Sequence, residues 1–439
     1  MPAQPFARLS GPVQLTTSLL LALAAALPAQ NATTVKTQST PTELQRGILL
    51  FPEAFVSNYW THTARVVNAP ANVSKANPGQ CIRIGLAATG DKRDELIAQT
   101  RLAFHVRFAG NTQDFPTESF AETRPIKPEG GDFVTEALAA ANIQNPLLSM
   151  ATLGVSAANW CVPTGAQDGE AIIEAEAITP TETTKLVTTR LKIESFATGS
   201  HHAFKDLGEQ NNWMMNYYRR PEPARLLPAL HALVADHSAL SNQNALLNAV
   251  AFFSNVLKNN PLAAKEFATQ IGAEKNPAQI IGIGMLRESG FDIQSLVQNL
   301  SPEERKSLAK PSDLPNAYVF NPTDRQDPTR LDFCWAEFLA TGRIEPIRQI
   351  VSALGWRADF DTFDKARKAG TLRKEWTPEL SHAVTYMAAG WSLSSFKRND
   401  PLVADYIQAI AADPTTAAAV QAELKGLDTN PAFRQTKEK

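Results

Sequence analysis

The sequence predicts a two-domain chain, in which a compact antiparallel β-sandwich is followed by an all-α domain built as an irregular array of helix pairs. Three observations lead there. Apolar residues recur at every second position through much of residues 47–196. From residue 211 onward the spacing lengthens to the roughly 3.6-residue repeat of amphipathic helices. Capping side chains followed at once by proline then recur through the second half. A chain of 439 residues, 44% hydrophobic and 20% charged, also exceeds what one core usually serves.

The first 29 residues have the layout of a secretory leader. Arg8 precedes the apolar run Leu19 to Leu27, and small residues, Ala24, Ala25, Ala26 and Ala29, gather toward its end. The run falls short of the roughly 20 apolar residues that span a bilayer, and no later stretch qualifies. Cleavage is expected near Ala26 or Ala29. The first cysteine is Cys81, far beyond that point, so no lipid anchor is expected. These features predict a periplasmic or secreted protein. Residues 30–46, rich in Thr, read as a flexible lead-in. The formal charge of -2 leaves no basic surplus to neutralise phosphates, which argues against nucleic acid as a partner.

Within 47–196 the strands have one wet face. Leu102, Phe104, Val106 and Phe108 alternate with Arg101, His105 and Arg107. Ala171, Ile173, Ala175 and Ala177 alternate with Glu174 and Glu176, and Val187, Thr189, Leu191 and Ile193 with Arg190, Lys192 and Glu194. Turn clusters at Asn77-Pro78-Gly79, Glu129-Gly130-Gly131 and Asp168-Gly169 separate them, and Ala137 to Ala141 suggest a short helical insertion. The stretch Trp160-Cys161-Val162-Pro163, followed by Asp168-Gly169-Glu170-Ala171, resembles the penultimate connection of immunoglobulin-like domains, which implies a sandwich of that kind.

Only Cys81, Cys161 and Cys334 are present. An oxidising compartment and a shared domain predict a Cys81–Cys161 disulfide, with Cys334 a buried thiol. Simple alternation places Cys81 opposite Ile82 and Ile84, and Cys161 opposite Trp160 and Val162, so neither should point into the core.

Residues 197–210 read as a hinge, 211–427 as the helical domain and 428–439 as a polar tail. Helix starts are expected at Asn260-Pro261, Asn276-Pro277, Ser301-Pro302, Asp327-Pro328, Thr377-Pro378, Asp400-Pro401 and Asp413-Pro414. There a side-chain oxygen can satisfy an orphan N–H, and proline gives up an N–H that had no partner. Ser301 and Glu304 also have capping-box spacing.

The densest aromatic cluster runs from Asn212 to Pro221. The reading it favours is packing between the two domains and onto the next helix; the alternative makes Trp213, Tyr217 and Tyr218 a ligand wall, with Arg219 and Arg220 as anion contacts. On the helix that begins near Asp327, Leu331, Cys334, Trp335, Phe338 and Leu339 form one core face. Asp332 and Glu337 fall elsewhere, either as a solvated pair or as an acid and base beside an aromatic. His201, His202 and Asp206 lie together in the hinge, while His231 and His237 are too far apart in sequence for tight ligation, so no metal site is expected. Ser307 to Lys310 and Ser394 to Lys397 match S-x-x-K without the companion boxes of a penicillin-recognising enzyme, and Gly282-Ile283-Gly284 belongs to a helix, so neither a serine nucleophile nor a bound cofactor is indicated.

Four segments, Tyr217 to Pro223, Phe252 to Asn255 leading to Asn260-Pro261, Leu331 to Gly342, and Ala388 to Leu393, resemble a group of uncharacterised exported bacterial proteins. The likeness covers residues 212–412 and implies one helical domain. The sequence thus leads to an exported interaction or binding protein that meets an envelope component or protein partner. The alternatives are a hydrolase of envelope material using carboxylates in an inter-domain groove, and a carrier of a small apolar ligand.

Overall fold

The computed structural model describes residues 45–52, 73–89, 101–116, 123–125, 152–178, 183–308, 329–372 and 377–433. The leader, the lead-in up to residue 44, the turn at Glu129-Gly130-Gly131, the insertion expected at Ala137 to Ala141 and the Asp327-Pro328 helix start lie outside the described residues.

The N-terminal part is strand-rich. Its strands are β1 (Gln45–Pro52), β2 (Lys75–Ala76), β3 (Cys81–Thr89), β4 (Arg101–Phe108), β5 (Asn111–Pro116), β6 (Thr123–Pro125), β7 (Thr152–Cys161), β8 (Gly169–Ile178) and β9 (Thr183–Ile193). They form a 4-stranded sheet, β1-β3-β7-β6, and a 5-stranded sheet, β2-β9-β8-β4-β5. Alternation turns Ile48, Leu50, Ile82, Ile84 and Trp160 of the first sheet into one core with Phe104, Val106, Ala171, Ile173, Ala175, Leu191 and Ile193 of the second. A two-residue turn with positive φ at both Ala109 (50°) and Gly110 (79°) joins β4 to β5, matching the right-handed twist of the strands.

The expectation of a purely antiparallel fold fails at β2, which runs parallel to β9. The cause is a chain that changes sheets. Val73 N donates to Leu50 O on β1 at 2.9 Å, and three residues on Glu194 N donates to Ala76 O at 3.0 Å.

Cys81 and Cys161 form a disulfide, with Cα atoms 3.9 Å apart. They are directly opposed across β3 and β7, as are Ile82 and Trp160. Because Ile82 and Trp160 take the core side, the bridge lies on the outer face. Period-two counting therefore placed both cysteines correctly, and the bridge needs no core position. It staples neighbouring strands of one sheet, unlike the inter-sheet bridge of antibody domains.

The C-terminal part is helical: α1 (Phe196–Gly199), α2 (Leu207–Met215), α3 (Leu226–Ala235), α4 (His237–Ser241), α5 (Gln243–Asn259), α6 (Pro261–Ala273), α7 (Ala278–Ser289), α8 (Gln294–Val297), α9 (Pro302–Leu308), α10 (Thr329–Thr341), α11 (Glu345–Ser352), α12 (Arg357–Lys368), α13 (Pro378–Asn399), α14 (Pro401–Ala412) and α15 (Ala418–Gly426). Short 3-10 turns occupy Pro223–Arg225, Ala353–Trp356 and Pro431–Phe433. α5 packs against α10 and α7, and α13 against α12 and α14.

The cap-proline device works at some positions and not at others. Ser301 N donates to Glu304 Oε2 (2.8 Å) and Glu304 N to Ser301 Oγ (3.3 Å), a reciprocal capping box. Thr377 Oγ1 accepts from Leu380 N at 3.2 Å, and Asp400 accepts from Leu402 N at 2.9 Å. Pro261 opens α6, but Asn260 turns back to give its Nδ2 hydrogen to Val256 O at 2.7 Å. Two expected starts are corrected. The Asn276-Pro277 peptide is cis and α7 begins at Ala278. Asp413 closes a local turn on Thr415 N at 2.9 Å, and the next helix waits until Ala418.

The expected hinge is packed. Phe196 of α1 is buried with Ala224 and Ala263, and a Cβ added at Gly199 would lie 2.3 Å from that of Ala224. α2 already begins at Leu207. Gln80 Nε2 donates to Pro221 O at 3.0 Å, and Lys75 bridges to Glu222 at 3.0 Å. At the other end, Phe433 is not part of a polar tail: it is 1% exposed and stands against Gly390, where any Cβ would strike its ring.

Candidate functional site

The aromatic segment is packed into the helical core, as the favoured sequence reading has it. Trp213, Tyr217 and Tyr218 are all buried. Trp213 and Tyr217 meet edge to face at 5.3 Å, and each meets Phe252 at 5.7 and 5.6 Å respectively. Burial drives the Tyr217 hydroxyl far above the usual phenol range. The two rings form a packed T-shaped cluster, a geometry favoured by aromatic quadrupoles.

Arg219 is not an anion contact, because an internal anion already holds it. Its Nη2 donates to Asp400 Oδ1 at 2.6 Å, and Asp400 also accepts from the Tyr218 hydroxyl at 2.8 and 2.9 Å. Arg219 Nε donates to that hydroxyl at 2.6 Å. The same carboxylate caps α14, so one buried group neutralises a charge, orients a phenol and starts a helix. Gly342, at φ 66°, lets the chain leave α10 beside the Tyr218 ring, where a Cβ would come within 2.9 Å. Arg220 next to it is exposed.

The acid-and-base reading of α10 is also corrected. Trp335 is fully buried and stacks on Phe396 at 3.9 Å. Asp332, expected to be solvated or to face a groove, is only 4% exposed, while Glu337 is half-buried. α10 packs against α5, α11, α13 and α2. Burial, with Glu337 and Asp332 nearby, pushes the Cys334 thiol well up, which makes it a poor nucleophile.

Polar clusters that sequence spacing did not reveal lie elsewhere. Beneath α12, His382 Nδ1 lies 2.9 Å from Asp359 Oδ2, and the imidazole stacks on Trp356 at 4.4 Å. One turn on, the Tyr386 hydroxyl donates to Glu423 Oε2 at 2.6 Å, and Arg357 Nη1 reaches Glu423 Oε1 at 3.0 Å. His382 Nε2 is buried with no hydrogen-bond partner among the described residues.

The outward face of the 5-stranded sheet carries the second cluster. His105 lies between Asp114 and Glu176, Arg107 pairs with Glu174 at 3.0 Å, Lys185 pairs with the same carboxylate, and Arg190 pairs with Glu170 at 2.5 Å. Each pair joins neighbouring strands, so the sequence could place these residues on the wet face but could not pair them without the register. At the junction of the two parts, Glu194 is buried between Lys192 (2.6 Å), Lys75 (3.6 Å) and His202 (3.8 Å). Asp206, near His202 in the sequence, caps α2 through Glu209 N at 2.8 Å. Among the described residues no group of three His, Cys, Asp or Glu is placed to hold a metal ion, and no helix is long and apolar enough to cross a membrane.

Compared with protein-family models, with curated proteins and with solved structures, the chain matches none.

Proposed function

We propose that the chain is an exported binding protein of the bacterial envelope, with the helical part as scaffold and the outward face of the 5-stranded sheet as contact surface. The observation that carries the reading is the Cys81–Cys161 bridge. Such bridges persist in oxidising compartments, in keeping with the leader-like first 29 residues. The immunoglobulin-like reading of the strand-rich part belongs to this proposal, supported by two sheets that share one core.

The sheet face is the better contact surface because its charges are held by cross-strand partners before anything binds. Groups held in place in the free protein lose less freedom on association. The hydrolase and carrier readings have less support: Asp332 is buried, Glu337 is half-buried, and Trp213, Tyr217 and Tyr218 are packed against protein.

Co-sedimentation of the purified full chain with isolated bacterial envelopes tests the proposal. The expected result is saturable binding that the double variant Arg107→Glu, Arg190→Glu weakens at least tenfold. Unchanged binding by that variant would move the surface elsewhere, and release of soluble fragments from the envelopes would favour the hydrolase.

A further inference from the structure

On the outward sheet face, the His105 ring sits between carboxylates from both neighbouring strands. Its Nδ1 is 2.7 Å from Asp114 Oδ1 on β5, and its Nε2 is 3.1 Å from Glu176 Oε2 on β8. Ionised carboxylates only accept hydrogen bonds, so both contacts are satisfied only when both ring nitrogens carry protons. A neutral imidazole donates from one nitrogen and turns a lone pair toward the other carboxylate. We propose that His105 is a proton-operated clamp, which fastens edge strand β5 to the sheet in acid and releases it as the pH rises. The inference does not depend on what the sheet binds.

The position of β5 gives the clamp something to hold. Among the described residues β5 is the outermost strand of its sheet, hydrogen-bonded to β4, and Asn111 to Asp114 are exposed. Unpaired strand edges are where sheets fray or accept another strand. Among the described residues, the charged groups around His105 fit the scheme. Asp114 approaches from β5, and Glu174 and Glu176 from β8. Arg107, on β4 itself, and Lys185, from β9, both go to Glu174. That leaves Asp114 and Glu176 to the imidazole. The hydrogen bond to Asp114, opposed by partial burial and reinforced by Glu176, raises the pKa of the ring above the ordinary value of 6.5. A folded-state value above the unfolded one means that the clamp acts fully below the unfolded value and is lost as the pH passes the folded value. Asp114 is 68% exposed, so the effect is that of a surface ion pair.

The test uses the full chain between about pH 5 and 9, the range in which histidine switches. Hydrogen exchange at histidine C2 reads the titration of His105, and amide protection factors read the β5 peptide. The expected result is titration above 6.5, with β5 protection falling about two- to fivefold across it, as for an exposed ion pair. The core amides of β8 should stay constant. His105→Gln should abolish the step, and Asp114→Asn should lower the titration point of His105. A titration at or below 6.5, an unchanged titration in Asp114→Asn, or the same β5 step in His105→Gln would overturn the clamp.

Discussion

The outward face of the 5-stranded sheet and the interior of the helical part both carry charged and polar side chains, under opposite conditions. On the sheet, Glu170, Glu174 and His105 meet partners that are themselves exposed to water, and each pair contributes little to stability. In the helical part, Arg219, Tyr218 and Asp400 are buried together, and none can lose its partners cheaply. Polarity in a sequence therefore reports exposure only for an element with one free face. β8 has such a face; α13 does not, and it buries Ser381, His382, Thr385, Ser392, Ser394 and Ser395 along with its apolar residues.

The disulfide is the largest single term to remove. Cys81→Ser with Cys161→Ser should lower stability by about 4 to 5 kcal/mol in the chain-entropy picture, since the bridge closes a long loop. Its sequence separation is 80. Denaturant unfolding followed by a β-sensitive signal checks it, and a loss confined to the helical signal would put the staple's effect in the wrong part.

Breaking the buried ion pair comes next. Asp400→Ala strands the Arg219 guanidinium and removes the cap of α14, so a loss of about 3 to 5 kcal/mol is expected. Arg219→Met with Asp400→Leu should recover the part due to the stranded charge, while the lost cap of α14 and the lost partner of the Tyr218 hydroxyl keep it below the parent. Trp335→Ala should cost a similar 3 to 5 kcal/mol, as large core truncations do. If Trp335→Ala keeps its stability but loses binding, α10 is a site and not a support.

The smallest effect belongs to the sheet face. Glu170→Ala should change stability by no more than about 0.5 kcal/mol, the usual range for surface substitutions. The same change is expected to weaken envelope binding measurably. A large stability loss would make the face structural and erase the contrast with the core.

How much of this could be read in advance follows the same division. The alternation of Phe104 and Val106 against His105 and Arg107 predicted the face of β4, and the expected cysteine pairing is the one formed. The change of sheet at β2 was hidden, because two residues carry no period. Asp332 misled because its helix is covered on several sides, so a polar residue off the main apolar stripe was still buried. Arg219 looked available because Asp400 lies 181 residues away along the chain. The pairing of His105 with Asp114 and Glu176 needed the strand register, which spacing does not specify.

Export and oxidation are the foundation of the proposed function, and thiol labelling of the envelope fraction tests them most directly. The full chain would be produced in a bacterial host, recovered from periplasm or medium, denatured under alkylating conditions and weighed intact. The expected result is a chain shortened by about 26 to 29 residues at a leader cleavage site, with Cys334 alkylated and Cys81 joined to Cys161. A full-length chain held in the cytosol with all of its cysteines alkylated would contradict it.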